Sequence, residues 1–183
     1  MMRIGSLGFV GGLLLSSIAN AQSPTPANDA EYIKLVMSAA PDEIVRDATI
    51  VRIEPNGDTR TLKKGTTEFT CFVGNNVPMC SDPNAMEWAK AWQTHSSPPD
   101  KVGFIYMLNG DNGASNTDPW ATKPESGNHW IKTASHVMIV GPPAKTMIGY
   151  PKAEDPDPTK PYVMWPGTPY EHLMLPTCAK PGS

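Results

Sequence analysis

Long apolar runs are scarce in this chain, and clusters of basic residues are missing. Beyond residue 18 no stretch approaches the roughly 20 apolar residues that a membrane-spanning helix needs, so no stable membrane insertion of the mature chain is expected. Lys and Arg number 15 against 18 Asp and Glu, a net charge of −3. A mildly acidic chain has little with which to neutralise phosphates, which argues against nucleic acid and anionic lipid as partners. The sequence also contains no G-x-S-x-G nucleophile elbow, no H-E-x-x-H zinc motif, no Gly-rich phosphate loop and no C-x-x-C redox pair. No cofactor is therefore named by a motif.

Cysteine is sparse too, with three in all. Cys71 and Cys80 flank a turn-rich segment, and a local disulfide between them is the expectation for an exported chain. Their spacing is wider than the two-to-four-residue gap usual in zinc sites. Cys178 is left over near the C-terminus, free or paired with another chain.

The N-terminus has the order of a secretory signal: Arg3, then an apolar stretch from Ile4 to Ile18, then Ala19-Asn20-Ala21 with small residues at the two positions a signal peptidase reads. The expected division is a signal peptide over 1–21, a linker over 22–28, one domain over 29–176 and a tail over 177–183. A periplasmic or secreted location follows. All 20 prolines lie beyond Ala21, which predicts short elements joined by many proline-rich loops.

Apolar spacing predicts a helix over 29–40, with Ile33, Val36 and Met37 on one face. Strands are expected at 48–53, 59–63 and 68–73, the first two joined by the Asn56-Gly57 hairpin signal, and together they read as a small β-meander. A second helix over 82–94 starts at Ser81 or Asp82, carries Pro83 in its first turn, and aligns Ala85, Trp88, Ala89 and Trp92. Residues 102–108 are apolar at nearly every position, the pattern of a central strand covered on both faces. Further strands are expected at 136–140, 162–165 and 172–175, with a short helix over 144–148. The mixture defines an α+β domain with a mostly antiparallel sheet and two or three helices.

Two segments carry candidate chemistry. The polar loop after the central strand holds Asp111, Asn116 and Asp118, whose oxygens suit a hard cation or a polar ligand. The same side chains also form Asx turns. The second segment is a repeat: His136-Val137-Met138 resembles His172-Leu173-Met174. Alternate residues on a strand share a face, so each imidazole aligns with its thioether, a soft donor set suited to copper. Either histidine can instead act as general acid or base with Asp111, Asp118 or Glu171, or simply bond a backbone carbonyl in the core. Trp165 and Tyr170 lie beside these segments, as a surface on which a flat ligand stacks or as plugs that fix loops to the sheet.

The stretches Tyr106-Met107-Leu108-Asn109-Gly110-Asp111, Gly113-Ala114-Ser115-Asn116-Thr117-Asp118-Pro119, Tyr162-Val163-Met164-Trp165, Gly167-Thr168-Pro169-Tyr170 and His172-Leu173-Met174 resemble a family of exported bacterial proteins with no assigned activity. The resemblance runs from the β-meander to Pro176 and implies one exported domain. Three functional expectations stand beside it. The first is binding of a small molecule or metal ion through the 109–120 loop and the two His-Met strands. The second is hydrolysis by His136 or His172 with Asp111 or Asp118. The third is a structural or interaction role without a small-molecule site.

Overall fold

Helix α1 (Asp29–Val36) begins where Asn28 accepts the backbone N–H groups of Ala30 and Glu31, the usual side-chain cap of the first turn. The computed structural model describes residues 25–142, 146–147 and 149–177. The signal-peptide segment, most of the short helix expected at 144–148, and Cys178 lie outside the described residues. α1 stops earlier than residue 40 because the chain tightens: Ser38 and Ala39 donate to Leu35 and Val36, three residues back, and the Ala39 carbonyl turns away to accept Leu108 N–H. Residues Asp42–Val45 then form a separate turn, α2.

Eight strands form one sheet in the order β2-β1-β3-β4-β5-β8-β10-β9. They are β1 (Thr49–Ile53), β2 (Thr59–Lys63), β3 (Thr70–Gly74), β4 (Val77–Ser81), β5 (Gly103–Met107), β8 (His136–Val140), β9 (Tyr162–Met164) and β10 (His172–Pro176). Every pairing is antiparallel except β1–β3. The fold is thus α+β with a mostly antiparallel sheet. The first three strands are not a simple meander. After the β1–β2 hairpin the chain crosses back, Thr66 and Thr67 donate to the Asp47 carbonyl, and β3 lands on the far side of β1, parallel to it. A two-stranded ribbon, β6 (Ala114–Ser115) with β7 (Trp130–Ile131), gives the long polar loop an internal frame.

Helix α3 (Pro83–Gln93) is fixed at its start by Asp82, which accepts Ala85 N–H with one oxygen and Phe104 N–H of β5 with the other. Gly103 permits the close approach, since a Cβ there would overlap the Ala85 backbone. α3 therefore covers one face of β5-β8-β10-β9, burying Trp88 against Ile105, Val140, Met164 and Met174. α1 and α2 cover the opposite face of β1-β3-β4, where Tyr32 and Val36 pack on Ile50, Val73 and the Cys71–Cys80 disulfide that links register partners of the β3–β4 hairpin. The helices sit over opposite halves of the sheet, so β5 is not sealed on both faces: Phe104 remains 40% exposed. No helix among the described residues is long and apolar enough to cross a membrane.

Candidate functional site

The two histidines are wired alike. His136 Nδ1 lies 2.7 Å from the Ala134 carbonyl, and His172 Nδ1 lies 2.9 Å from the Tyr170 carbonyl. A carbonyl only accepts, so each Nδ1 carries the ring proton and each Nε2 is a bare lone pair. Both residues are 0% exposed, and neither Nε2 has a hydrogen-bond partner. Burial lowers both pKa values, that of His172 to about 4. Desolvation disfavours the charged ring, so both are neutral near pH 7.

Strands β8 and β10 are neighbours, with Met138 directly opposite Met174. Directly opposed residues share a face, so His136, Met138, His172 and Met174 all project to the α3 side. The register separates the two imidazoles, however. Their backbone positions lie four residues apart along the ladder, roughly 13 Å at about 3.3 Å per residue, while the rings stay near enough for His136 to add to the lowering of the His172 pKa. Each histidine thus heads its own group. Met107 of β5 is opposite His136, and Met164 of β9 is opposite His172.

At the His136 end the polar loop supplies Asp111. Its Oδ1 accepts Gly113 N–H at 2.8 Å and Thr133 N–H at 3.0 Å. Its Oδ2 faces His136 Nε2 at 4.0 Å, too far for a direct hydrogen bond. Burial raises the Asp111 pKa, with His136 and the two backbone donors pulling the other way. The Asp111 side chain is 12% exposed, so the pair meets solvent from the carboxylate side. Beside it Thr133 and Tyr162 share a buried hydrogen bond of 2.8 Å, and burial pushes the Tyr162 phenol up to about 12. Gly113, at φ +92°, makes room for Trp130 over the loop; any Cβ there would overlap the indole.

At the His172 end the imidazole stands edge-on to two indoles, Trp88 at 5.4 Å and 74° and Trp165 at 4.9 Å and 80°. Trp165 also stacks on Trp88 and Trp92, and its Nε1 donates to the Ser115 carbonyl at 2.7 Å. Tyr170 is buried with its hydroxyl on the Ser96 carbonyl. Trp165 and Tyr170 therefore tie loops to the sheet, and neither offers an open stacking face.

Asn116 and Asp118 are also committed within the chain. The fully buried Asn116 amide donates to the Ala153 and Glu154 carbonyls and accepts Trp165 N–H. Asp118 accepts Trp120 N–H in an Asx turn. Among the described residues, no three His, Cys, Asp or Glu side chains converge as a metal-binding group. Thr133, Tyr162, Met107 and Met164 join the two histidine ends without having stood out in the sequence. Only strand register brings Met107 and Met164 beside their histidines, although both fall in segments already read as strands.

No family model, curated protein or solved structure matches the chain.

Proposed function

We propose that this is an exported protein that binds a small ligand where the loop after β5 meets the start of β8. Export is supported by the N-terminal order of Arg3, apolar core and Ala19-Asn20-Ala21 and by the Cys71–Cys80 disulfide. The binding reading rests on one observation: Asp111 Oδ2 and His136 Nε2 face each other across 4.0 Å, neither bonded to the other. A buried imidazole nitrogen and a carboxylate oxygen that reaches solvent, converging without a donor, define what fits between them. The complement is a group with two N–H donors, a primary ammonium or an amide, and the carboxylate favours the ammonium.

The test is a set of thermal melts of the exported chain with ethylamine, ethanolamine and acetamide, repeated on Asp111→Asn. Binding to the native state raises the melting temperature by linkage. Stabilisation by the amines that disappears in Asp111→Asn supports the reading; no shift with any of the three sinks it.

The same gap supports hydrolysis as a second reading. A water held between the two groups is within reach of both, with His136 Nε2 as general base and Asp111 orienting it. Turnover of p-nitrophenyl acetate that is lost in His136→Gln would favour this reading over simple binding.

A further inference from the structure

We propose that the His172 end of the sheet face, separate from the Asp111–His136 gap, takes a soft monovalent cation of the Cu(I) or Ag(I) type. Its ligands are His172 Nε2 and the thioethers of Met164 and Met174, beneath the indoles of Trp88 and Trp165.

The orphaned Nε2 is the starting point. A buried acceptor left without a donor is destabilising, and the Tyr170 carbonyl holds the ring in the tautomer that leaves Nε2 bare. Carbonyl orientation of one ring nitrogen with the other free is the arrangement by which proteins prepare a histidine to bind a metal. Register supplies the sulfurs. Met164 is the direct partner of His172 across β9–β10, and Met174 is two residues along on the same face. Both methionines are buried.

Charge then selects the ion. The nearest carboxylate in sequence, Glu171, is spoken for by Lys152 and by Gly167 N–H. The buried groups around the site are the imidazole nitrogen, two thioethers and the Trp88 Nε1–H, which also lacks a partner, with no free carboxylate among them. That set disfavours Ca²⁺, Mg²⁺ and Zn²⁺, which call for carboxylates or thiolates, and suits a soft ion of single charge. Two indoles packed T-shaped against the imidazole place tryptophan reporters beside the proposed ion.

The experiment is an Ag(I) titration of the exported chain, read by tryptophan fluorescence and by thermal melt. Ag(I) is redox-inert, and a Cys178→Ser background removes the competing thiol. The expected result is one-to-one binding with a change in tryptophan emission. A Met164→Leu/Met174→Leu double variant should weaken binding by at least about a hundredfold, the top of the range seen when even outer partners of a metal site are lost. Methionine-to-leucine changes conserve volume, so the metal-free melt of this variant should stay close to that of the parent. Asp111→Asn should bind Ag(I) like the parent, and the Met164/Met174 variant should still respond to amines, which keeps the two sites distinguishable. The proposal is overturned if the parent shows no one-to-one binding, if the double variant binds as tightly as the parent, or if binding is lost in His136→Gln while surviving in His172→Gln.

Discussion

Asp111→Asn should make the protein more stable while removing its response to amines. The asparagine Oδ1 can keep both backbone donors, Gly113 N–H and Thr133 N–H. The new amide then points its N–H₂ across the 4.0 Å gap at His136 Nε2, which has no partner in the parent. A small side-chain rotation closes that distance. Supplying a donor to a buried orphan acceptor is worth about 1–3 kcal/mol. At about 2–4 °C per kcal/mol for a domain of this size, the melting temperature should rise by about 2–12 °C at pH 7. The pH dependence has a definite sign. Burial raises the folded-state pKa of Asp111, so the folded parent holds its proton more tightly than the unfolded chain does. The parent therefore loses stability as pH rises through that pKa, and the variant does not. The advantage of Asp111→Asn should be larger at pH 7 than at pH 4. Urea melts at the two pH values measure it. A variant less stable than the parent at pH 7 would refute the reasoning, because it would mean that the carboxylate is held by an imidazolium rather than left waiting for a ligand.

Acid should destabilise the protein over a window set by the histidines. The His172 pKa falls from 6.5 to about 4 on folding, so the unfolded chain takes up a proton first and about 3 kcal/mol of stability drains away between those values. The same pH dependence from pH 7 to pH 4 in urea melts of the parent and of His172→Gln would contradict this. Cys71→Ala/Cys80→Ala should cost about 2.7 kcal/mol on the chain-entropy estimate for a loop of about 10 residues, measurable by the same melts and matched by adding reductant to the parent. Asn116→Ala should cost about 1–3 kcal/mol, because it orphans the buried Trp165 N–H and frees the loop carbonyls of Ala153 and Glu154; a loss under about 1 kcal/mol in thermal melts would show that water replaces the amide.

Much of this architecture is written locally. Asp82 followed by Pro83 announces α3, and the spacing of Ala85, Trp88 and Trp92 gives the face it buries. The alternation in the two His-Met segments placed all four side chains on one face once the strands proved to be neighbours. Register is a different kind of information. That His136 and His172 stand at opposite ends of the ladder depends on which residues pair, and neither segment encodes its partner. The same holds for β3, whose passage to the far side of β1 hangs on an Asp47 carbonyl that catches Thr66 and Thr67. Trp165 and Tyr170 sit in a loop with no periodicity to reveal that it folds inward. Asp111 is one of three acids that the sequence offers the histidines, with Asp118 and Glu171. Its selection follows from backbone turns at Gly110 and Gly113, both at positive φ, and from its own bonds to Gly113 and Thr133.

The most direct measurement is the nitrogen NMR spectrum of the histidine rings at pH 7. His136 and His172 should both appear as neutral rings protonated on Nδ1, with Nε2 free of any hydrogen bond. Ethylamine should then shift only His136, and Ag(I) only His172. A proton on Nε2 of either ring, or an imidazolium at pH 7, would contradict the pair of waiting acceptors on which both sites depend.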